Sequence, residues 1–181
     1  DFANRTAYLY IGSSLHFTAD AESKGSVSFY KINAVTGEIV WEHTENVNTK
    51  HGVSGGIQAT ALLGKGNISD LVIIPFARTP NESDGIVLAL DKATGAVRWT
   101  FPMEKYTWSS PVAVYDENGN AYIVVCEGSD TGGKVFLLDG KTGTKLATFE
   151  AEKNIEASPA VYGNMIVFGT RGMKIWGVKI S

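Results

Sequence analysis

Six side chains with binding chemistry fall in segments that are rich in Gly, Ser, Asp and Asn, or in the short links between apolar runs. They are His51, Arg78, Trp108, Glu127, Glu156 and Arg171. An indole can stack on a planar ligand or a sugar, and charged groups can pair with a partner's polar surface. Trp108 and Glu156 stand at nearly the same place before two similar apolar runs, and His51 lies in a comparable region. The pattern suggests a mixed polar site; the alternative is that Trp108 caps the core and the others are solvated loop residues.

The residue types give less support for a metal site or for a catalytic nucleophile. The segment Asp116–Glu127 has the oxygen-donor spacing of a calcium loop, but Ala121 stands where that loop needs Gly. Cys126 is the only cysteine and lies in an apolar run, which indicates a buried thiol. The three histidines lack metal-ligand spacing, and no zinc-protease, serine-hydrolase or phosphate-loop motif occurs. We therefore predict no catalytic residue and no metal site.

Composition excludes some partners. The 16 basic and 19 acidic residues give a net charge of −3, and no basic cluster stands out, which disfavours nucleic-acid binding. No apolar run is long enough to span a membrane, and no signal peptide is present. With 44% hydrophobic residues in 181, the chain can form one domain with a sizeable core.

An internal repeat supplies the elements that would position the six residues. A turn of the form Asp/Asn-x-x-Thr-Gly recurs, and an aromatic residue follows it. Its copies are Asn33, Thr36 and Gly37 with Trp41; Asp91, Thr94 and Gly95 with Trp99; and Asp139, Thr142 and Gly143, followed by Ala147 at the Trp position and by Phe149 as a substitute. The Asp accepts backbone hydrogen bonds and the Gly takes a positive φ. We expect each Trp to lie on an outer strand and to pack flat against the neighbouring repeat.

Strand patterns around these turns define four-stranded units. No helical period is convincing, while short apolar or alternating runs separated by turn residues recur throughout. Two units look complete, with strands over Ile57–Leu63, Leu71–Phe76, Ile86–Leu90 and Val97–Phe101, and over Pro111–Tyr115, Ala121–Cys126, Val135–Leu138 and Lys145–Phe149. Four-stranded units spaced by about 50 residues are typical of β-propeller blades.

The predicted fold is all-β, a partial β-propeller in a single domain over residues 1–181. Its blades cover about 1–50, 51–106, 107–154 and 155–181; the first lacks its inner strand and the last its outer strand. Both terminal sheets would then offer unpaired edges. We expect the chain to be the C-terminal half of a larger propeller, and to associate with the remaining half or with a second copy.

Three segments carry a family resemblance. Ala89–Trp99, Ser109–Val112 and Ala157–Ala160 resemble the repeat of pyrroloquinoline-quinone-type (PQQ-like) β-propellers. That family includes quinone-dependent dehydrogenases, outer-membrane assembly scaffolds, extracellular sensors and surface-bound binding modules. The resemblance implies that quinone-binding members carry an adjacent Cys-Cys pair, a calcium ion held by Glu and Asn, and a catalytic Asp. Cys126 stands alone in this chain.

The expected function is a non-catalytic binding or scaffolding module without a cofactor, exported and facing the cell envelope or exterior. The alternatives are part of a PQQ-dependent dehydrogenase with calcium, and a carbohydrate-binding sensor that uses Trp108. Because strands in a blade alternate in direction, the second-to-third-strand loops and the links between blades share one face, here called the loop face. Its segments are Ser13–Lys24, Ala77–Gly85, Glu127–Gly133, Thr170–Gly172, Glu42–Val53, Pro102–Trp108 and Ala151–Glu156. We expect the protein or glycan ligand to bind there.

Overall fold

The computed structural model describes residues 6–15, 23–49, 53–129 and 131–180, and these residues form an all-β structure of four antiparallel sheets. A single 3₁₀ turn, Gly66–Ile68, is the helical element among them. The described part of the chain contains no helix with the length and apolar composition that a membrane crossing needs. His51 lies outside the described residues, as does most of the predicted loop Ser13–Lys24.

Sixteen strands make up the sheets. They are β1 Tyr8–Gly12, β2 Ser14–Leu15, β3 Ser23–Asn33, β4 Ile39–Thr49, β5 Gly55–Gly56, β6 Leu62–Leu63, β7 Leu71–Ala77, β8 Gly85–Asp91, β9 Val97–Met103, β10 Val112–Tyr115, β11 Ala121–Ser129, β12 Gly132–Asp139, β13 Lys145–Ala151, β14 Ala160–Tyr162, β15 Met165–Thr170 and β16 Lys174–Lys179. Their sheets are β1-β3-β4, β2-β5-β7-β8-β9 with β6 beside β7, β10-β11-β12-β13, and β14-β15-β16.

These sheets confirm the partial propeller. The second and third blades contain four meander strands each, β6 to β9 and β10 to β13. Within the described residues, the first blade has no inner strand and the fourth has no outer strand, as the repeat predicts. The inner strand of the second blade is shorter than predicted, because within the predicted range Ile57–Leu63 only Leu62–Leu63 pairs with β7.

The strands extend further toward the loop face than the sequence indicates. The predicted loop over Glu127–Gly133 is wrong, because β11 and β12 stay paired as far as Ser129 and Gly132. A Cβ on Gly133 would lie 2.7 Å from the Ile155 side chain, so glycine at this position lets the next link between blades pack over the hairpin.

Apolar layers between the blades form the core. Every residue of β7 is buried, because one side of this strand faces the first blade and the other faces the third. Val72 and Ile74 pack with Phe29 and Trp41 of the first blade. Ile73 packs instead with Ile123 and other residues of the third. This two-sided burial explains why the β7 sequence is continuously apolar.

Each repeat turn has the predicted hydrogen bonds. Asp91 Oδ1 accepts the N–H groups of Ala93 and Thr94, both at 2.9 Å, and Gly95 has a φ of 76°. Asn33 and Asp139 accept the corresponding N–H groups of their own turns, at Val35, Thr36, Lys141 and Thr142. The side chain thus satisfies main-chain donors that would otherwise lack partners.

The repeat tryptophans join one blade to the next. Trp41 Nε1 donates to the carbonyl of Lys92 at 3.1 Å, and a Cβ on Gly95 would lie 2.8 Å from the indole. Trp99 makes the same contacts with the third blade, donating to the Gly140 carbonyl at 3.1 Å and covering Gly143. Each indole therefore rests on two features of the next blade: the turn glycine, and the carbonyl of the residue that follows the turn Asp or Asn. We call these two features the indole socket.

The third blade has no tryptophan at the outer-strand position where the first two blades have one, and Phe149 is its predicted substitute. Ala147 lies opposite Leu137 in the sheet, the register that Trp99 has with Ala89. Phe149 contacts the fourth blade in its place, with ring centroids 6.0 Å from Phe168 and 5.4 Å from Trp176.

Removing one indole should weaken the contact between two blades and so destabilise the fold. We expect Trp99→Ala to lower the free energy of unfolding by roughly 3–5 kcal/mol, because it removes a buried aromatic side chain and its hydrogen bond. Trp99→Phe keeps much of the packing and should cost less, with about 1 kcal/mol from the lost hydrogen bond. Urea denaturation measures both, and equal losses for the two variants would contradict the packing role.

The Asp91 turn should make the free energy of unfolding depend on pH under acidic conditions. The Thr94 N–H, with further hydrogen bonds and Arg98, holds the pKa of Asp91 below its ordinary value of 3.8. Its stabilising contribution is therefore complete above that value and is lost as the pH falls through the lowered pKa. Asp91→Asn keeps the acceptor that Asn33 uses, so its unfolding free energy should fall less steeply than wild type below about pH 4. Parallel acid titrations of the two proteins test this, and identical slopes would contradict it.

Candidate functional site

A ladder of hydrogen bonds runs across the inner ends of three blades. The Thr60 N–H donates to Ser110 Oγ at 2.9 Å, and the Ser110 N–H donates to Ser158 Oγ at 2.9 Å. These three residues therefore occupy the same position in successive blades. Trp108 and Glu156 each stand two residues before a ladder residue, so the structure places them equivalently.

Gln58 is the equivalent residue in the second blade, and sequence reasoning missed it. It stands two residues before Thr60 and is exposed. The Ser-Pro pair that marks the other two positions is Thr60-Ala61 here, which hid the alignment. Successive blades thus present Gln58, Trp108 and Glu156 at one position on the loop face. We call these three residues the rim.

Trp108 belongs to an aromatic and cationic stack. Its ring lies 5.4 Å from that of Tyr106, and the Arg78 guanidinium carbon lies 4.0 Å from the Tyr106 centroid. Trp108 Nε1 is buried and has no hydrogen-bond partner among the described residues. A buried donor without an acceptor is uncommon and costs free energy, whereas the indole as a whole is partly exposed and offers its ring surface to a ligand.

Arg78 holds two main-chain segments of the loop face in place from a buried position. Its side chain is buried, and it donates to the carbonyls of Ser54 at 2.9 Å and Glu82 at 2.7 Å. Its φ is 61°, an unusual value for a residue other than glycine. The guanidinium therefore ties two main-chain segments together beneath Tyr106.

Glu156 and Arg171 meet, as part of a group that also contains Asn154. Arg171 Nη2 lies 2.8 Å from Glu156 Oε2, and Asn154 Nδ2 donates to Glu156 Oε1 at 3.0 Å. The Arg171 N–H donates to the Asn154 carbonyl at 3.0 Å. Two-thirds of the Arg171 side chain is exposed, at 66%, so the ion pair remains open to a partner.

Glu127 is a buried carboxylate where the second blade has a phenylalanine. It faces Lys134 in the sheet as Phe76 faces Ile86, and only 2% of it is exposed. Its Oε2 accepts the Lys105 N–H at 3.1 Å, and its Oε1 lies 3.9 Å from Lys134 Nζ. Burial raises the pKa of Glu127. The carboxylate borders a cleft of about 280 Å³ on the loop face.

Five of the six predicted residues thus lie on the loop face. Arg78 and Trp108 belong to one group and Glu156 and Arg171 to a second, while Glu127 borders a separate cleft. Gly128 links the groups, since its N–H donates to the Tyr106 carbonyl at 3.4 Å and a Cβ on it would overlap Asn154. Among the described residues, no three His, Cys, Asp or Glu side chains are placed to hold a metal ion. Burial raises the pKa of Cys126 to about 12, which makes it a poor nucleophile.

Known proteins match this chain in sequence and in fold. A family model described as outer membrane protein assembly factor BamB matches residues 83–181. The β-alanine-activating enzyme of Danio rerio is 28% identical over 105 residues, which are 57% of this chain and 9% of that protein. Methanol dehydrogenase [cytochrome c] subunit 1 of Paracoccus denitrificans is 26% identical over 175 residues, which are 93% of this chain and 25% of that protein. The chain therefore spans a quarter or less of these curated relatives.

A solved structure shares the fold. BamB from Moraxella catarrhalis superposes with a TM-score of 0.55 at 18% identity, over 84% of this chain and 40% of that chain. At that identity the likeness concerns the propeller architecture alone.

Neutralising Glu127 should change how stability depends on pH. Because the folded state raises this pKa above its ordinary value of 4.5, the folded protein binds the proton more tightly than the unfolded chain does. The wild-type unfolding free energy should thus decline as the pH rises from that value through the raised pKa. Glu127→Gln should remove this decline, so the variant gains relative to wild type across that range. Chemical denaturation at several pH values measures it, with Glu150→Gln as the exposed control from the same cleft; a gain equal to the control's would contradict the assignment.

Proposed function

The chain belongs to the family of the outer membrane protein assembly factor BamB, and from that premise we propose that it is a non-catalytic binding or scaffolding module. Its partner is a protein that contacts the rim and the neighbouring charged pair on the loop face. We further propose that it works outside the cytoplasm, at the cell envelope. The assembly role that the family's description names is the model for this proposal.

One observation carries the proposal: residues at the same position of the repeat differ in charge and size at the rim. The turns repeat their Asp or Asn, Thr and Gly because each makes the same internal hydrogen bonds. Gln58, Trp108 and Glu156 share a position but present an amide, an indole and a carboxylate. Identical packing demands would favour similar side chains, so this difference supports recognition of an asymmetric partner.

The chemistry of the rim describes the partner. Trp108 offers a partly exposed indole that stacks on Tyr106, and Glu156 with Arg171 offers both charges about 2.8 Å apart. A protein segment with an apolar or aromatic side chain and a flanking charged side chain matches both features. Aromatic and arginine residues are also those that dominate binding energy in protein interfaces.

The dehydrogenase alternative has one observation in its favour, the match to methanol dehydrogenase over 93% of this chain. The described residues do not fit the quinone and its calcium ion. Cys126 is fully buried and has no second cysteine beside it, and Glu127 already accepts the Lys105 N–H. In the described part of the chain, no three Asp or Glu carboxylates are placed together to hold the ion.

Site-specific photo-crosslinking tests the partner proposal. A crosslinker at exposed Gln58 should capture the same protein as one at Glu156, in cells that produce the chain. A crosslinker at Lys141, an exposed turn residue on the opposite face, should not capture it. Capture should be competed by the unmodified chain and weakened at least tenfold by Trp108→Ala, and equal capture from Gln58 and Lys141 would contradict the proposal.

Titration with the quinone and Ca²⁺ tests the enzyme alternative. We expect no stoichiometric change in the quinone spectrum and no thermal stabilisation. A ligand present at a hundredfold excess over its Kd stabilises the folded state by about 2.7 kcal/mol. Stabilisation of that size together with a stoichiometric spectral shift would reject the non-catalytic proposal.

A further inference from the structure

We propose that the gap between the third and fourth blades is a binding site for a small planar aromatic molecule with an N–H group. Indole is the simplest molecule of this class and serves as the probe. The site lies at the end of the sheets where the repeat turns are, and it is separate from the rim. Three observations support it: the vacant position at Ala147, an apolar cavity beside it, and a main-chain carbonyl that can accept the N–H.

Ala147 leaves vacant a position that an indole fills in the first two blades. In its sheet Ala147 lies opposite Leu137. Trp99 has the same register with Ala89 in the second blade. The indoles of Trp41 and Trp99 are buried against the next blade, whereas Ala147 is exposed and presents only a methyl group. The outer strand of the third blade therefore lacks the side chain that closes the other two gaps.

Phe149 does not fill the vacant position, because it has a counterpart of its own in the second blade. That counterpart is Phe101, since both phenylalanines come two residues after the outer-strand position just described. The ring centroid of Phe149 lies 5.4 Å from that of Trp176, with an interplanar angle of 63°. Phe101 lies 5.2 Å from Phe136 with an angle of 66°. The phenylalanine contact thus recurs at both interfaces, and the third blade differs in the indole alone.

An apolar cavity of about 230 Å³ lies at the vacant position. An apolar cavity of roughly 150 Å³ is large enough to bind benzene, so this one has room for a fused bicyclic ring. Val178 in its wall is half-buried. Its counterparts in the second and third blades, Leu90 and Leu138, are fully buried beside the repeat tryptophans. Apolar side chains of both blades form most of the wall; they are Val135, Leu137, Phe149, Ile166, Val178 and Ile180.

The fourth blade supplies the carbonyl of an indole socket at this cavity. The Ile180 N–H donates to the Asn164 carbonyl at 2.8 Å. The Gly140 N–H donates to the Ala121 carbonyl at the same distance, so Ile180 and Gly140 occupy equivalent positions. The Gly140 carbonyl accepts the N–H of Trp99. The Ile180 carbonyl therefore stands where an indole of the third blade would donate.

That carbonyl can accept a second hydrogen bond. It already accepts Asn164 Nδ2 at 3.0 Å, and a main-chain oxygen has two lone pairs. The Lys92 carbonyl shows the same combination with both donors in place. It accepts Lys31 Nζ at 2.7 Å and Trp41 Nε1 at 3.1 Å. An N–H in the cavity can thus bond to Ile180 without displacing the asparagine.

These features define the chemistry of the ligand. A flat ring system fits between two apolar sheets at the place of an indole, and its N–H must point toward the Ile180 carbonyl. Lys179 also lines the cavity, but it is exposed, so its ammonium group can remain in water and the ligand needs no charge. A small neutral aromatic molecule with one N–H meets these conditions.

Titration of the chain with indole tests the site. We expect one molecule to bind per chain with a Kd of about 1 mM or tighter, and to shift the methyl NMR signals of Ala147 and Val178. 1-Benzothiophene has the same shape but carries sulfur in place of the N–H. It should bind at least about threefold more weakly, because it cannot donate to the Ile180 carbonyl.

Variants of the third outer strand show whether indole binds at the vacant position. Ala147→Trp fills that position from within the chain and should weaken indole binding at least about tenfold. If Leu137 crowds the new side chain, Leu137→Ala with Ala147→Trp reproduces the second-blade pair and should have the same effect. Glu150→Trp is the control, because Glu150 lies opposite Lys134, which contacts Glu104 of the second blade. This control places an indole on the other side of the strand and should leave binding unchanged.

Four results would overturn the proposal. One is the absence of saturable indole binding, and another is equal affinity for indole and 1-benzothiophene. The third is equal indole affinity in the Ala147→Trp and Glu150→Trp variants. The fourth is a short peptide with a central tryptophan that competes at least about tenfold more tightly than indole, which would make a partner's side chain the occupant. Loss of binding in the Ala147→Trp variant alone, together with the preference for the N–H, supports the proposal.

Discussion

The contact between a tryptophan of one blade and a turn glycine of the next holds the first three blades together. Four small sheets cannot each bury both faces, so each depends on its neighbour for half of its core. Trp41 and Trp99 link neighbours by covering Gly95 and Gly143 and by donating to main-chain carbonyls at 3.1 Å. The Asp-x-x-Thr-Gly turn places a glycine, which has no Cβ, and a main-chain carbonyl beside the indole. Packing, hydrogen bonding and turn geometry are thus satisfied by one repeated unit.

The rim shows how such a scaffold can carry recognition. The repeat demands the same turn and core residues in every blade, but it places no such demand on the residue two positions before the ladder. Gln58, Trp108 and Glu156 present an amide, an indole and a carboxylate there. Binding specificity in a propeller therefore concentrates in the links between blades, while the meanders supply rigidity.

Much of the fold could be predicted because the repeat signals are local. Asn33 or Asp91, a threonine and a glycine within five residues determine a turn, and the Trp spacing places the outer strand. The candidate site was less predictable. Gln58 lacks the Ser-Pro marker, and its position became clear only from the hydrogen bond between Thr60 and Ser110. The burial of Glu127 depends on packing between a link and a hairpin, which no local pattern in the sequence encodes.

Hydrogen exchange at the indole N–H groups tests the central role of the tryptophan contacts most directly. The Nε1–H groups of Trp41 and Trp99 are held between blades, so separating the blades is required before either can exchange. We predict that both exchange with the free energy of global unfolding, and that this free energy shifts in parallel with denaturant stability. Exchange of either N–H at the rate of a locally opening loop would contradict the account, because blades held together by other contacts would let the indoles move independently.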